Sequence, residues 1–212
     1  MHAEISINNQ VFWLLPERAL WWPARQALFI ADVHLGKSSH FRKNGIALLS
    51  DIAFRELENL NVLVKKMRPK KLVFLGDLFH SDVNHEWGLF TNWLEHQTAE
   101  AILVNGNHDA ALLKSVLLGR LQSVDKLTMG SFLFTHEPEE NTSDLYNFCG
   151  HIHPAFVLKG KASQRLRLPC FNIGPRQGIL PAFGLTTGFV AQKPKAKHRY
   201  FVIAEDVVEV FK

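Results

Sequence analysis

The feature that most constrains this chain is a pattern that recurs at five places. A short apolar run ends at once in a turn built from Gly, Asp, Asn or His. Ala27 to Ala31 (ALFIA) runs into Asp32-Val33-His34, and Lys71 to Leu75 (KLVFL) runs into Gly76-Asp77. Ala101 to Val104 (AILV) runs into Asn105-Gly106-Asn107-His108-Asp109. Ser131 to Thr135 (SFLFT) meets His136, and Leu145 to Cys149 (LYNFC) meets Gly150-His151-Ile152-His153. Runs of this length, bounded this way, predict buried strands.

Helical patterns lie between them. Ser50 to Met67 places Ile52, Leu57, Leu60, Leu63 and Val64 at helical spacing, and Pro69 follows its end. Glu86 to Gln97 and Ala110 to Leu118 are shorter candidates. Alternation of strands and helices in the first half predicts α/β units with a largely parallel sheet. Phe156 to Leu158, Arg165 to Leu168, Tyr200 to Ala204 and Val207 to Phe211 make the second half richer in strands. Together they predict one domain over residues 1–212, a two-sheet sandwich flanked by helices.

Composition narrows the class. The chain has 212 residues, 47% hydrophobic and 21% charged, which fits a globular domain with a sizeable core and excludes a disordered or fibrous one. The net charge of +4 is compatible with nucleic acid or a phosphorylated substrate without demanding either. The two cysteines, Cys149 and Cys170, form no CxxC pair, so a disulfide framework is not expected. The opening MHAEISINNQ has no basic segment followed by an apolar one, and no apolar run approaches a membrane span. Cytoplasmic placement, with no membrane partner, is the expectation.

All the polar turns fall just past the carboxyl ends of predicted strands, where ligands bind in open α/β sheets. Hydrolysis of a phosphate ester is served by two cations about 3.5–4 Å apart, which polarise phosphoryl oxygens and acidify a shared water. Such a pair needs mixed carboxylate and imidazole ligands. Glycines beside the ligands allow tight turns and close backbone approach. Taken singly, Asp32 or Asp77 reads as a turn former, His136 as a surface histidine, and Asn107 beside Gly106 as an ordinary turn. Their joint occurrence favours a metal site.

The ordered series DxH, GD, GNHD, a lone His and GHxH resembles the calcineurin-like metallophosphoesterases over about three quarters of the chain. The resemblance implies an α/β protein with the calcineurin-like α/β/β/α sandwich, and roles for individual residues. Asp32, His34 and His153 would hold the first metal, and Asp77 would bridge both. Asn107, His136 and His151 would hold the second. His108 would act as general acid or phosphate-orienting group, with Asp109 holding its imidazole. The cofactor implied is a pair of divalent ions, manganese first, with iron, zinc, nickel or magnesium also compatible with the donors.

The segments LWWPAR (Leu20 to Arg25), ADVHLGKSSHFRKNGI (Ala31 to Ile46), LGDLFHS (Leu75 to Ser81) and LPAFG (Leu180 to Gly184) are similar to a bacterial subgroup, the ligase-associated DNA damage response endonucleases. This implies a Mn-dependent phosphodiesterase or DNA endonuclease in repair, with DNA as substrate. It also implies functional association with a DNA ligase, a helicase and an exonuclease-like protein. Lys37, Arg42, His80 and Arg176 are the substrate-side candidates, although cations in a polar loop need no special reason. Trp13, Trp21 and Trp22 read as packing residues, and His2, His40, His85, His96 and His198 as surface ones. Competing functions are a pyrophosphohydrolase of a nucleotide-linked lipid precursor, a phosphomonoesterase, and a metal-free scaffold on the same fold. A lipid enzyme calls for an apolar membrane-seeking helix, and a scaffold calls for substituted ligands. The sequence has no strong helix of that kind and no substituted ligand.

Overall fold

The structure is a computed structural model, and it describes residues 1–35, 52–79, 85–107, 109, 119–140, 144–160 and 164–211. Lys37, Arg42, His80, His108 and the helix expected over 110–118 lie outside the described residues.

Seven strands form the first sheet, in sequence order: β1 (Ala3–Ile7), β2 (Gln10–Leu14), β3 (Ala19–Trp22), β4 (Ala27–Ile30), β5 (Lys71–Leu75), β6 (Glu100–Val104) and β7 (Leu121–Val124). The sheet is mixed, which corrects the largely parallel expectation. β1 to β4 form an antiparallel meander, and β4 to β7 run parallel. The β1–β2 turn has both Asn8 (φ 49°) and Asn9 (φ 60°) left-handed, the twist that a two-residue hairpin requires.

Two described helices cross over between the parallel strands. α1 (Ile52–Met67) buries Glu56, Leu60, Leu63 and Val64 along one stripe. It stops where Arg68 turns left-handed (φ 48°) just before Pro69, with the Arg68 amide bonded to the Val64 carbonyl at 2.8 Å. α2 (His85–Glu95) buries Trp87, Phe90, Trp93 and Leu94.

The second sheet contains β8 (Leu127–Met129), β9 (Phe132–Phe134), β10 (Tyr146–Cys149), β11 (Pro154–Lys159), β12 (Arg165–Ile173), β13 (Gln177–Ile179), β14 (Val190–Ala191), β15 (Arg199–Ala204) and β16 (Val207–Phe211). Its order runs β14-β11-β12-β13-β10-β9-β8, with β15 and β16 joined through β12. β10 is parallel to both its neighbours.

Strand alternation sorts the side chains into layers. On one face of the first sheet, Leu28, Ile30, Leu72, Phe74, Ala101 and Leu103 pack against the helices. On the other, Phe29, Val73, Leu75, Ile102 and Val104 meet Phe132, Phe134, Phe148, Phe171 and Phe201 of the second sheet. A smaller cluster of Cys170, Tyr200 and Val202 lies apart from both, flanked by Phe156, Leu168 and Phe211. The two-sheet α/β sandwich therefore matches the expectation. Trp21 and Trp22 are buried, and both cysteines are buried and free. Burial pushes the Cys170 thiol up to about 12. Among the described residues, no helix is long and apolar enough to cross a membrane.

Candidate metal centre

The turns that follow β4, β5, β6, β9 and β10 converge at one end of the sandwich. The parallel pairing of β4 and β5 continues past the strand ends. The amides of Asp32, His34 and Leu35 donate to the carbonyls of Gly76, Asp77 and Leu78 at 3.3, 2.9 and 2.9 Å. In these turns Asp32, His34, Asp77, His151 and His153 all have φ between 48° and 66°. A left-handed residue other than Gly costs about 1–2 kcal/mol, and such strain clusters at functional sites.

Glycines make the convergence possible. A Cβ on Gly76 would fall on the ring of His136, and one on Gly150 would come within 2.6 Å of Asp32 Oδ2. A Cβ on Gly106 would meet the Asp77 carboxylate.

The convergent side chains form two clusters, Asp32 with His34 and His153, and Asp77 with His136 and His151. Asp32 is fully buried, and both its oxygens accept from the His151 amide, at 3.2 and 2.9 Å. Asp77 faces both clusters. Its Oδ2 lies 3.8 Å from His34 Nε2, and its Oδ1 lies 3.5 Å from His136 Nε2.

The tautomer of His136 is fixed by its surroundings. Nδ1 lies 3.0 Å from the Leu75 carbonyl, which can only accept, so Nδ1 carries the proton. That leaves the lone pair on Nε2, the orientation typical of a metal-ligating histidine.

These residues fit a pair of divalent cations on three grounds. Buried carboxylates and imidazoles are the donor set such ions take. His153 Nε2 is buried, makes no hydrogen bond among the described residues, and lies 3.3 Å from Asp32 Oδ1. His136 Nε2 and His151 Nδ1 are 3.1 Å apart, about the span of two nitrogens held by one ion at roughly 2.1 Å.

Asn107 stands at the rim. Its Nδ2 donates to Glu137 Oε1 at 2.7 Å. That hydrogen bond, and after it the nearby His151 and His136, hold the Glu137 carboxyl below its usual range. Asp109 is buried, and its carboxylate is occupied by backbone. Oδ2 accepts from Asp77 N (2.8 Å) and Gly106 N (2.9 Å), and Oδ1 from Leu78 N (3.0 Å). Burial raises its pKa against the opposing pull of those amides. Asp109 thus ties the β6 turn to the β5 turn, a role not foreseen from the sequence; the expected contact with His108 involves a residue outside the described ones.

Arg176 is exposed and lines a cavity of about 340 Å³ with Lys195, Gln177, Gln192, Glu139 and Ile152, the residue between the two histidines of the last turn. Two braces behind the site were also not foreseen. Glu56, buried on α1, accepts from the Leu185 amide at 2.9 Å, and Arg18 donates to the carbonyls of Ala182 and Gly184 at 3.4 Å. The LPAFG segment, which ends one residue before Leu185, is also held at its other side. Its Phe183 and Gly184 amides donate to the carbonyls of Ala31 and Asp32 at 2.9 and 3.1 Å. A signal for Glu56 exists in the sequence, because it shares the helical stripe of Leu60 and Leu63.

His198 departs from the surface reading. It is half-buried, and its Nδ1 lies 2.7 Å from Asn172 Oδ1.

Comparison with known proteins bears on the family and the fold. The model of the calcineurin-like phosphoesterase family matches residues 26–186. The Pseudomonas putida nuclease MPE superposes with a TM-score of 0.84 at 29% identity, covering all of both chains. A conserved uncharacterized protein of Streptococcus pneumoniae TIGR4 aligns over 87% of this chain and 86% of its own, at 14% identity and a TM-score of 0.28. No curated protein sequence matches. With a family match spanning most of the chain and two ligand clusters that fit a pair of cations, the chain belongs to the calcineurin-like phosphoesterases and is a metal-dependent hydrolase.

Proposed function

We propose that this protein is a manganese-dependent phosphodiesterase that cleaves DNA as an endonuclease in repair. The observation that carries the two-cation reading is Asp77, whose two oxygens face separate His-containing clusters. Asp32, His34 and His153 are the residues to hold one cation, and Asn107, His136 and His151 the other, with Asp77 shared. When bound, such a pair supplies Lewis-acid polarisation of the phosphoryl group and an acidified water.

The protein's own groups divide the remaining work. The Leu75 carbonyl keeps the His136 proton on Nδ1, so that Nε2 stays a donor of electrons. The His151 amide holds the Asp32 carboxylate in one orientation. His108, outside the described residues, is assigned by family resemblance to the leaving oxygen, where an imidazole supplies a proton.

Two observations bear on the choice of a polymeric phosphodiester over a small monoester. The solved structure with a TM-score of 0.84 is a nuclease. The cavity beside the His151–His153 turn is lined by Arg176 and Lys195 together with Glu139 and Glu140, so a flanking phosphate there would meet two cations set against two carboxylates. Cytoplasmic action beside a ligase, a helicase and an exonuclease-like protein is part of the same proposal, as are Lys37, Arg42 and His80 on the substrate side.

The test is a substrate panel with purified protein and Mn²⁺: single-stranded and gapped DNA, an aryl phosphodiester, aryl phosphomonoesters and a nucleotide-linked lipid pyrophosphate. Nicking of DNA and cleavage of the diester are expected, and both should vanish in Asp77→Ala and His108→Ala. Hydrolysis confined to monoesters or to the lipid pyrophosphate rejects the DNA assignment. Full activity in Asp77→Ala rejects the two-cation site.

A further inference from the structure

We propose that Glu137 is a positioning residue for Asn107: its carboxylate holds the NH₂ end of the Asn107 amide and so turns the carbonyl oxygen toward the second cation. The proposal rests on the two-cation reading and names a residue that the family motifs do not include.

The first support is chemical. An ionised carboxylate only accepts hydrogen bonds, and Glu137 Oε1 lies 2.7 Å from the Asn107 amide nitrogen. The two ends of the amide are therefore distinguished by their partner. Only the oxygen end ligates a cation; the NH₂ end, with its partial positive charge, repels one. Asn107 is exposed, so without a partner its amide would flip among hydrated orientations, and binding would have to select one of them.

The second support is the frame beneath Glu137. Thr135 Oγ1 donates to the Glu137 carbonyl at 2.6 Å, and the buried Asn147 donates through Nδ2 to Thr135 Oγ1 at 2.8 Å. Asn147 Oδ1 accepts from the Glu139 amide at 3.2 Å and from Gln177 Nε2 at 2.9 Å. The Gly150 amide donates to the carbonyl of the adjacent His136 at 2.9 Å. An exposed carboxylate is thus mounted on a backbone tied down on both sides. Glu137 and His136 are neighbours in the chain, so one rigid turn presents a ligand of the second cluster and the group that aims another.

Residues that hydrogen-bond a metal ligand typically change metal affinity by about 10–100-fold when removed. The test is Mn²⁺ titration of the full chain, with bound and free ion separated by electron paramagnetic resonance, alongside melting of each metal-free variant. Wild type should bind two ions. Glu137→Ala should weaken one of them by about 10–100-fold and leave the other unchanged, with no fall in metal-free Tm. Glu137→Gln keeps an accepting oxygen and should restore affinity to within about threefold of wild type, a lesser change than the 10–100-fold loss. In an Asn107→Ala background, Glu137→Ala should have no further effect, because it acts through that side chain.

Two ions bound at wild-type affinity in Glu137→Ala overturn the proposal. So does equal weakening in the Gln variant, which would make charge the cause. If Asn107→Ala alone leaves both ions at wild-type affinity, the two-cation reading of Asn107 fails first.

Discussion

At the scale of the residue, the site is made of side chains held in backbone conformations that they do not favour. Gly76 shows why the turn tolerates no alternative. Its φ of +76° is costly for any residue with a Cβ, and the His136 ring occupies the place where that Cβ would go. Gly76→Ala is therefore expected to lower the Tm and to abolish metal-dependent hydrolysis. A variant with wild-type melting and wild-type rate would show that the turn has room.

His198 makes a different prediction. Burial, and then Lys195, lower its pKa from 6.5, because both oppose the imidazolium. The folded value lies below the unfolded one. The contribution to stability is thus fully present above pH 6.5 and is lost as the pH falls through the folded value. The His198 ring proton should titrate with a midpoint below 6.5 by NMR. His198→Gln should flatten part of the drop in Tm between about pH 7 and pH 5. A midpoint at or above the ordinary value contradicts the burial argument.

At the scale of the element, strands supply positions and turns supply chemistry. Asp109 links the β5 and β6 turns, its carboxylate taking the backbone amides of Asp77, Leu78 and Gly106. Leaving a buried donor unmet costs about 1–3 kcal/mol. Asp109→Ala should therefore cost at least about 2 kcal/mol in urea unfolding and should weaken metal binding, since Asp77 sits on the released turn. A loss of under about 0.5 kcal/mol, the usual scale for a surface substitution, would mean that water replaces the carboxylate. The LPAFG segment works in the same way from the opposite side. It adds a strand-like pairing to Ala31 and Asp32, and Glu56 and Arg18 fasten it to α1 and to the β2–β3 turn.

At the scale of the whole molecule, two sheets pressed face to face bring turns from both halves of the chain to one end. Phe134 shows the joint. It stacks on Phe29 of the first sheet, with centroids 4.2 Å apart and planes 7° apart, and on Phe148 of its own. Phe134→Ala should cost about 3–5 kcal/mol in equilibrium unfolding, the usual loss for a large core aromatic. It should also impair the site, because His136 follows β9 by two residues. Normal stability in that variant would mean that the sheets are not held together here.

The sequence by itself determined the strands that end in ligand turns, because an apolar run cut off by Gly, Asp or His leaves few local options. β4, β5, β6, β9 and β10 were legible, as was the stripe of α1. The family series DxH, GD, GNHD, His and GHxH was legible for the same local reason. The antiparallel meander was less so: β1 (AEISI) alternates apolar and polar residues, but β2 (QVFWL) and β3 (ALWW) do not. What only the tertiary structure decided were contacts between residues far apart in the chain. Asp109 given over to backbone amides, Glu56 on Leu185, and Glu137 on Asn107 all depend on how turns are juxtaposed. Hydrophobic periodicity specifies which face of an element is buried; it carries no information about which polar group meets which across 30 or 129 positions of sequence.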